Sequence, residues 1–481
     1  MSAQNDPGLK RRDFVRLCAA APVGASLAMT GPTSAADAPA SPRTWREPAR
    51  DVPVMAEYDV LVCGGGPAGC AAAIAAARLG TKTLLVEKDG YLGGTTVSQL
   101  VVPILSTNGV DFQGVWHEWI AALRCRGGVS DLTRYRKSAR SVEVEWFEGS
   151  VDPEMVKFAW DELLSAAGAD ILHHVLIAGA ILEDGGIRGV LAETRAGRRA
   201  ILARRVIDST GDGAVCAAAG VPWEQGAEGK PWAMAVTKNF RVGNIPDFDK
   251  VKPGLASGVF GRSIGRRPEA LGGIPLYKVN PLDPWDLTRA ERDGRAAARR
   301  AVESRRKDPK FKDIYLVDTS SHVGVRSSRR IRGIAVATAA DAMELRKYPD
   351  GIARASWEID IHTPEAGAAN LAPWDTPDYR RRMERTRAGD YFDIRFGCIV
   401  AAGVDNLLVA GRCLSAEHIA QAGLRIQQTC QATGQAAGTA AALSLKENVM
   451  PRVLDPKKVV EQLAKDRAAV EPAFESLKAL G

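Results

Sequence analysis

This sequence is poor in the residues that build metal or redox-relay centres. Its eight cysteines, Cys18, Cys63, Cys70, Cys125, Cys216, Cys398, Cys413 and Cys430, are scattered, and no two form a CxxC pair. That pattern supplies neither a disulfide framework nor a zinc or iron–sulfur cradle. The six histidines have no metal-ligand spacing. No stretch beyond the first forty residues approaches the ~18 uninterrupted apolar residues of a membrane span. There are no repeats, and no basic stripe of the kind that tracks nucleic acid: the net charge of +7 includes Lys10, Arg11, Arg12 and Arg16, which leaves the rest mildly basic. What remains is ordinary globular usage, 46% apolar and 25% charged, with enough chain for two intertwined domains.

The first forty residues read differently from the rest. "KRRDFVR" (10–16), the weakly apolar "LCAAAPVGASLAM" (17–29) and the small residues of "TSAADAPA" (33–40) make a twin-arginine export signal over 1–40, with Arg11 and Arg12 as the pair that the export machinery reads. Because that route carries proteins already folded around a cofactor, the expectation is a periplasmic or secreted protein with no membrane span in its mature form.

"YDVLVCGGGPAGCAAAIAAARLGTKTLLVEK" (58–88) reads as a strand, a glycine turn, an alanine-rich helix and a second strand. In that context Gly64 permits the tight turn, Gly66 lets the backbone approach a pyrophosphate, and Gly69 lets helix and strand pack closely. Pro67 and Ala68 open a helix whose N-terminus favours anions. Glu87 closes the second strand about 20 residues on, where a carboxylate accepts hydrogen bonds from ribose hydroxyls. The continuation "KDGYLGGTTVSQL", with Lys88, Gly93, Gly94 and Thr95, is a glycine-rich loop that can pass under an isoalloxazine, and so favours FAD over NAD. Two later stretches suit the same cofactor. One is "VIDSTGDG", with Thr210, Gly211 and Asp212, after an expected β-meander. The other is "VDNLLVAGRCLSAEHIAQAGLRIQQTCQATGQAAGTAAALSL", with a turn at Gly411 and a small-residue helix carrying Gly434 and Gln435. No second GxGxxG occurs in a strand–helix–strand setting, so a separate NAD(P)H domain is not expected.

These motifs, together with "VGVRSSRRIRG" and "YPDGIARASWEIDIH", resemble the FAD-dependent oxidoreductases grouped loosely with the heterodisulfide reductase A subunit, over about residues 56 to 450. The resemblance implies a glutathione-reductase-type FAD fold in which the C-terminal segment returns to complete the flavin site. Those relatives carry cysteine motifs for iron–sulfur clusters that this chain lacks. The expected architecture is α/β: a discontinuous Rossmann-like FAD-binding domain over 56–225 and 393–450, an inserted α+β substrate domain over 226–392, and a helical tail over 451–481.

The expected chemistry is hydride transfer between a small organic substrate and flavin, in either direction, with electrons leaving to oxygen, a quinone or a soluble carrier. The cationic donors His322, Arg326 and Arg329, with Arg330 beside them, precede the return segment that carries His418 and Arg425. Arg326, Arg329 and Arg425 are expected to orient an oxygen-rich or anionic substrate, with His418 or His322 as the base. A helix N-terminus near Gly434 is expected to stabilise negative charge on the reduced ring. His362, alternating with Ile359 and Ile361, reads as structural. Two other readings stay open at this point, a flavin-containing isomerase or hydratase without net redox and a non-catalytic electron carrier.

Overall fold

The apolar run of the first strand becomes the middle of a sheet. In a computed structural model, residues 44–130, 133–139, 142–227, 229–246, 262–264, 267–365 and 376–466 are described; the export signal expected over 1–40 and the end of the tail lie outside them. Strand β1 (Val54–Cys63) has parallel neighbours on both sides, β2 (Thr83–Val86) and the strand Gly197–Asp208. Val60, Leu61, Val62 and Cys63 are fully buried, as expected of a strand covered on both faces. Helix α1 (Pro67–Arg78) makes the crossover between β1 and β2. The strand Asp170–Leu172 extends the sheet beyond β2, and the meander Leu176–Glu183, Gly186–Thr194, Gly197–Asp208 adds two antiparallel strands at the other side.

The chain returns to this seven-stranded sheet from far downstream. Leu407–Val409 pairs in parallel with Val206–Asp208, and the return helix Gln427–Lys446 then lies against α1. Its small residues have a physical reason. A Cβ on Gly434 would sit 2.0 Å from the carbonyl oxygen of Ala68, and one on Gly438 2.0 Å from that of Ala72. The two helices therefore touch backbone to backbone, and nothing larger than glycine fits.

Between these parts, Val236–Gly243 lies in a four-stranded antiparallel sheet with Arg262–Ile264, Arg267–Leu276 and Tyr315–Thr319. The charged helix Pro284–Arg305, capped by the Asp283 side chain on Trp285 N, turns Ala290, Gly294, Ala298 and Val302 inward onto that sheet. This α+β unit has its own core from Val236 to Val323, around Phe240, Val242 and Phe311. Ala337, Ala342, Ile352, Ile359, Ile361 and Phe392 instead join the core around α1 and the return helix. A short helix, Pro456–Lys465, follows at the tail. Among the described residues no helix is long and apolar enough to cross a membrane.

Candidate functional site

The turn after β1 is built by close backbone approaches. Gly64 holds φ +105°, and a Cβ there would lie 2.6 Å from Ser209 O; a Cβ on Gly69 would lie 1.8 Å from Gly64 O. Gly66 is different. Its backbone is ordinary extended chain, and the nearest obstacle to a Cβ is Gly94 Cα at 3.9 Å. Gly93 (φ +107°) donates its N–H to Gly65 O at 2.9 Å, laying the second glycine loop against the first. Glu87 is 8% exposed; Oε2 accepts from Gly65 N at 2.6 Å and Oε1 from Asp89 N at 2.9 Å, which leaves one further lone pair on each oxygen. No side chain caps α1, because Gly66 has none and Pro67 brings no N–H. An uncapped helix N-terminus, bare glycine backbone where Gly66 and Gly94 approach each other, and a carboxylate with lone pairs to spare fit the pyrophosphate and ribose of a bound dinucleotide. Lys88 turns outward to Asp89 at 3.1 Å, and Thr95 opens a single helical turn, Thr95–Ser98. The next residue, Thr96, donates to Gln427 Oε1 at 2.7 Å and ties that turn to the return helix.

The second stretch is organised by the buried Asp208. It accepts from Thr210 N, Thr210 Oγ1 and Cys216 N, while burial pushes its carboxyl up. Gly211 and Gly213 take left-handed conformations at φ +78° and +65°. Asp212 is committed to protein partners: Ser328 Oγ and Arg412 Nη2 each donate to it at 2.6 Å. Arg412 also reaches Gly211 O at 2.8 Å and Val325 O, so it binds the glycine turn to the insert-side segment. Gly411 (φ +82°) faces α1, where its Cβ would lie 2.9 Å from Ala68 Cβ.

Two expectations on the return helix change here. The helix begins at Gln427, so Gly434 is about two turns inside it and serves the contact with α1 rather than a helix end. The uncapped N–H groups belong to the first turn, since Ile426 offers no capping side chain and the first bond runs from Cys430 N to Ile426 O. Gln435 points its Oε1 at Val115 N, 3.0 Å away, and caps the helix Val115–Cys125.

The candidate catalytic residues divide. His322 lies 3.4 Å from Asp89 and donates its backbone N–H to Ser98 O, which puts it on the loop after β2. Its hydrogen bond is the chief cause holding the Asp89 carboxyl down to about 2. Arg329 reaches Asp212 O at 3.0 Å and covers the Trp223 ring. Arg326, Arg425 and His418 instead come together, and the partners that join them are Asp360 and His362. Arg326 donates through Nη1 to Ala235 O at 2.8 Å and Thr237 Oγ1 at 2.6 Å. Arg425 Nη2 donates to Asp360 O at 3.0 Å and Oδ2 at 3.1 Å, and His362 Nε2 lies 3.1 Å from the same Oδ2.

The electrostatics follow from burial and crowding. Burial, then the charge of Arg425, brings the Arg326 guanidinium down to about 10, and burial likewise lowers Arg425. Burial alone would raise Asp360, but its bond to His362 and the charges of Arg425 and Arg326 hold it well below the usual carboxylate range. Burial, then Arg326, pulls His362 below the ordinary imidazole value. Burial, then Arg330 and Arg425, takes His418 down to about 4, and its Nδ1 is buried without a partner. Both imidazoles are therefore neutral at pH 7. The signal for His362 was present in the alternation: Ile359 and Ile361 are buried, which turns Asp360 and His362 to the other side. A separate cavity of about 360 Å³, lined by Asp350, Arg395 and Arg452 among others, contains none of these residues.

A family model described as FAD dependent oxidoreductase matches residues 59–263 and 247–463. A dihydrolipoyl dehydrogenase of Trypanosoma brucei brucei is 54% identical over 54 residues, 11% of this chain and 11% of that protein. A digeranylgeranylglycerophospholipid reductase of Methanopyrus kandleri is 31% identical over 158 residues, 32% of this chain and 38% of the other. The chain thus matches only a minor part of the length of these curated relatives. Among solved structures, a geranylgeranyl bacteriochlorophyll reductase-like protein from Thermoplasma acidophilum aligns over 88% of both chains with 16% identity and a TM-score of 0.44. The p-nitrophenol 4-monooxygenase PnpA of Pseudomonas putida aligns over 89% of both with 11% identity and a TM-score of 0.45.

Proposed function

The chain belongs to the FAD-dependent oxidoreductase family, and from that premise we propose that it is an exported enzyme that moves a hydride between a small, oxygen-rich or anionic organic substrate and flavin. The observation that carries this reading is the cluster of Arg326, Arg425, Asp360, His362 and His418, linked through Arg412 to the Gly211 turn. Bound FAD supplies the hydride-accepting ring. The chain's own part is to hold it and to position the substrate. The start of α1 would receive the pyrophosphate and Glu87 the ribose, and the first turn of the return helix would offer positive potential to developing negative charge. Arg326 and Arg425 orient the substrate by charge-assisted hydrogen bonds. His322, out on the Asp89 loop, is a poor candidate for the base, and His418, already at about 4, is a weak one.

Electrons leave to oxygen, a quinone or a soluble carrier; a single dinucleotide grip and no CxxC pair argue against entry from NAD(P)H. Purified protein screened anaerobically against hydroxy acids, polyols and amines should show bleaching of its flavin by at least one class and no rapid bleaching by NADH or NADPH. Fast reduction by either nucleotide would overturn the electron route. Export rests on Arg11 and Arg12: their replacement by lysine should hold FAD-loaded precursor in the cytoplasm.

A further inference from the structure

We propose that Arg326 and Arg425 form the binding site for the carboxylate of a small organic acid, and that His362, backed by Asp360, is the catalytic base beside it. The inference deepens the hydride-transfer reading and rests on it for the base, though not for the binding site.

Two guanidiniums face one carboxylate, Asp360, to which Arg425 is hydrogen-bonded and whose charge Arg326 feels from nearby, and guanidinium does not shed its proton in proteins. The neighbouring Arg412 is matched by Asp212 and Arg330 by Glu224, so neither of those carboxylates is left to balance the cluster. The histidines facing it, His362 and His418, are driven toward their neutral forms. Among the described residues one positive charge is left over in a largely buried place, an arrangement that is expensive unless an anion arrives.

The hydrogen-bond inventory agrees. Among the described residues, the hydrogen bonds of the Arg326 side chain run through Nη1, Arg425 Nε is buried without a partner, and so are His418 Nδ1, Ser327 Oγ and Gln421 Oε1. A planar carboxylate matches two guanidinium donors better than a hydroxyl does. His362 stands on the same Asp360. With Nε2–H donating to Asp360 Oδ2, its Nδ1 carries the lone pair, and no group among the described residues engages it. For an acid with a hydroxyl or amine next to its carboxylate, oxidation breaks the C–H bond, whose hydrogen leaves with both bonding electrons to flavin. The O–H or N–H proton passes to His362 Nδ1, and the pair left behind forms the C=O or C=N bond.

The test uses FAD-loaded full-length protein and oxalate, a carboxylate that mimics the ligand without needing to react. Binding is followed by the flavin spectrum and by the ring proton resonance of His362, assigned by its loss in H362Q. Oxalate should bind, and its arrival should raise the pH at which His362 titrates, because it offsets the charges of Arg326 and Arg425. R425M and, independently, R326M should weaken oxalate about ten- to a hundredfold with FAD content intact; R425K and R326K, which keep the charge, should recover part of it. H362Q should bind oxalate within a few-fold of wild type, yet slow bleaching by a reactive hydroxy or amino acid about a hundred- to ten-thousandfold. Unchanged oxalate affinity in both methionine variants, or a His362 titration indifferent to oxalate, overturns the site. If R425M shifts the flavin reduction potential while oxalate still binds, the spare charge serves the flavin and the site is likewise overturned. H362Q bleaching at the wild-type rate overturns the base. Oxalate binding without bleaching by any acid, polyol or amine would remove the hydride-transfer reading and leave the carboxylate site standing, whereas bleaching by a neutral compound with no response to oxalate would do the reverse.

Discussion

The dinucleotide grip and the cationic cluster are made of different material. The grip is backbone: Gly64, Gly66 and Gly69 act by what they omit, and the single side chain that matters most, Glu87, is held by the N–H groups of Gly65 and Asp89. The cluster is side chain, assembled from Arg326, Asp360, His362, His418 and Arg425 across about a hundred residues. A backbone site depends on conformations that a few consecutive residues adopt by themselves. A side-chain site depends on burial and on which charges the fold brings face to face, so it is the part that pH and polar substitutions should disturb.

The largest test of that contrast attacks the grip from outside its own sequence. Gly434→Val puts a branched side chain where even a Cβ lies 2.0 Å from Ala68 O. The helices must separate, at a loss of at least about 3 kcal/mol, the upper end for overpacking, with loss of FAD. Denaturant midpoints and flavin content check it, and a wild-type midpoint would show that the two helices do not touch. Next in size is Gly66→Val. Gly66 is extended and its nearest obstacle lies 3.9 Å away, so the apo fold should stay within about 1 kcal/mol of wild type while FAD content collapses; a variant that stays fully yellow would misplace the pyrophosphate.

The effect expected of the cluster appears only as pH falls. His418 titrates at about 4 in the fold against an ordinary 6.5, so between those values the unfolded chain binds more protons. Stability from this group is complete above pH 6.5 and is lost as pH falls toward 4, by up to about 3 kcal/mol. H418Q should flatten that part of the profile of unfolding free energy against pH. An unchanged slope would mean that His418 is not buried among cations, and the contrast between the two regions would lose its main support.

Legibility followed the same division. Gly64, Gly69 and Glu87 could be placed from their spacing because the turn, the helix start and the strand end are local. The return helix was readable as small-residue and close-packed, but Gly434 meets α1 and Gln435 caps the helix Val115–Cys125, contacts that no local pattern records. His322 and Arg329 sit in the same short stretch as Arg326, yet they end on Asp89 and Asp212. His362 showed its alternation with Ile359 and Ile361, but a lone histidine on an apolar segment carries no sign of an arginine arriving more than sixty residues later.

What the sequence determined by itself, then, was the strand–turn–helix–strand unit and the class of cofactor it suits, because glycine conformations, strand periodicity and helix starts depend on near neighbours. Tertiary structure alone decided which cations face one carboxylate, which imidazoles are neutral and where a helix begins relative to its partner. Those properties come from desolvation and Coulomb interaction, which depend on distance in space and take no account of distance along the chain.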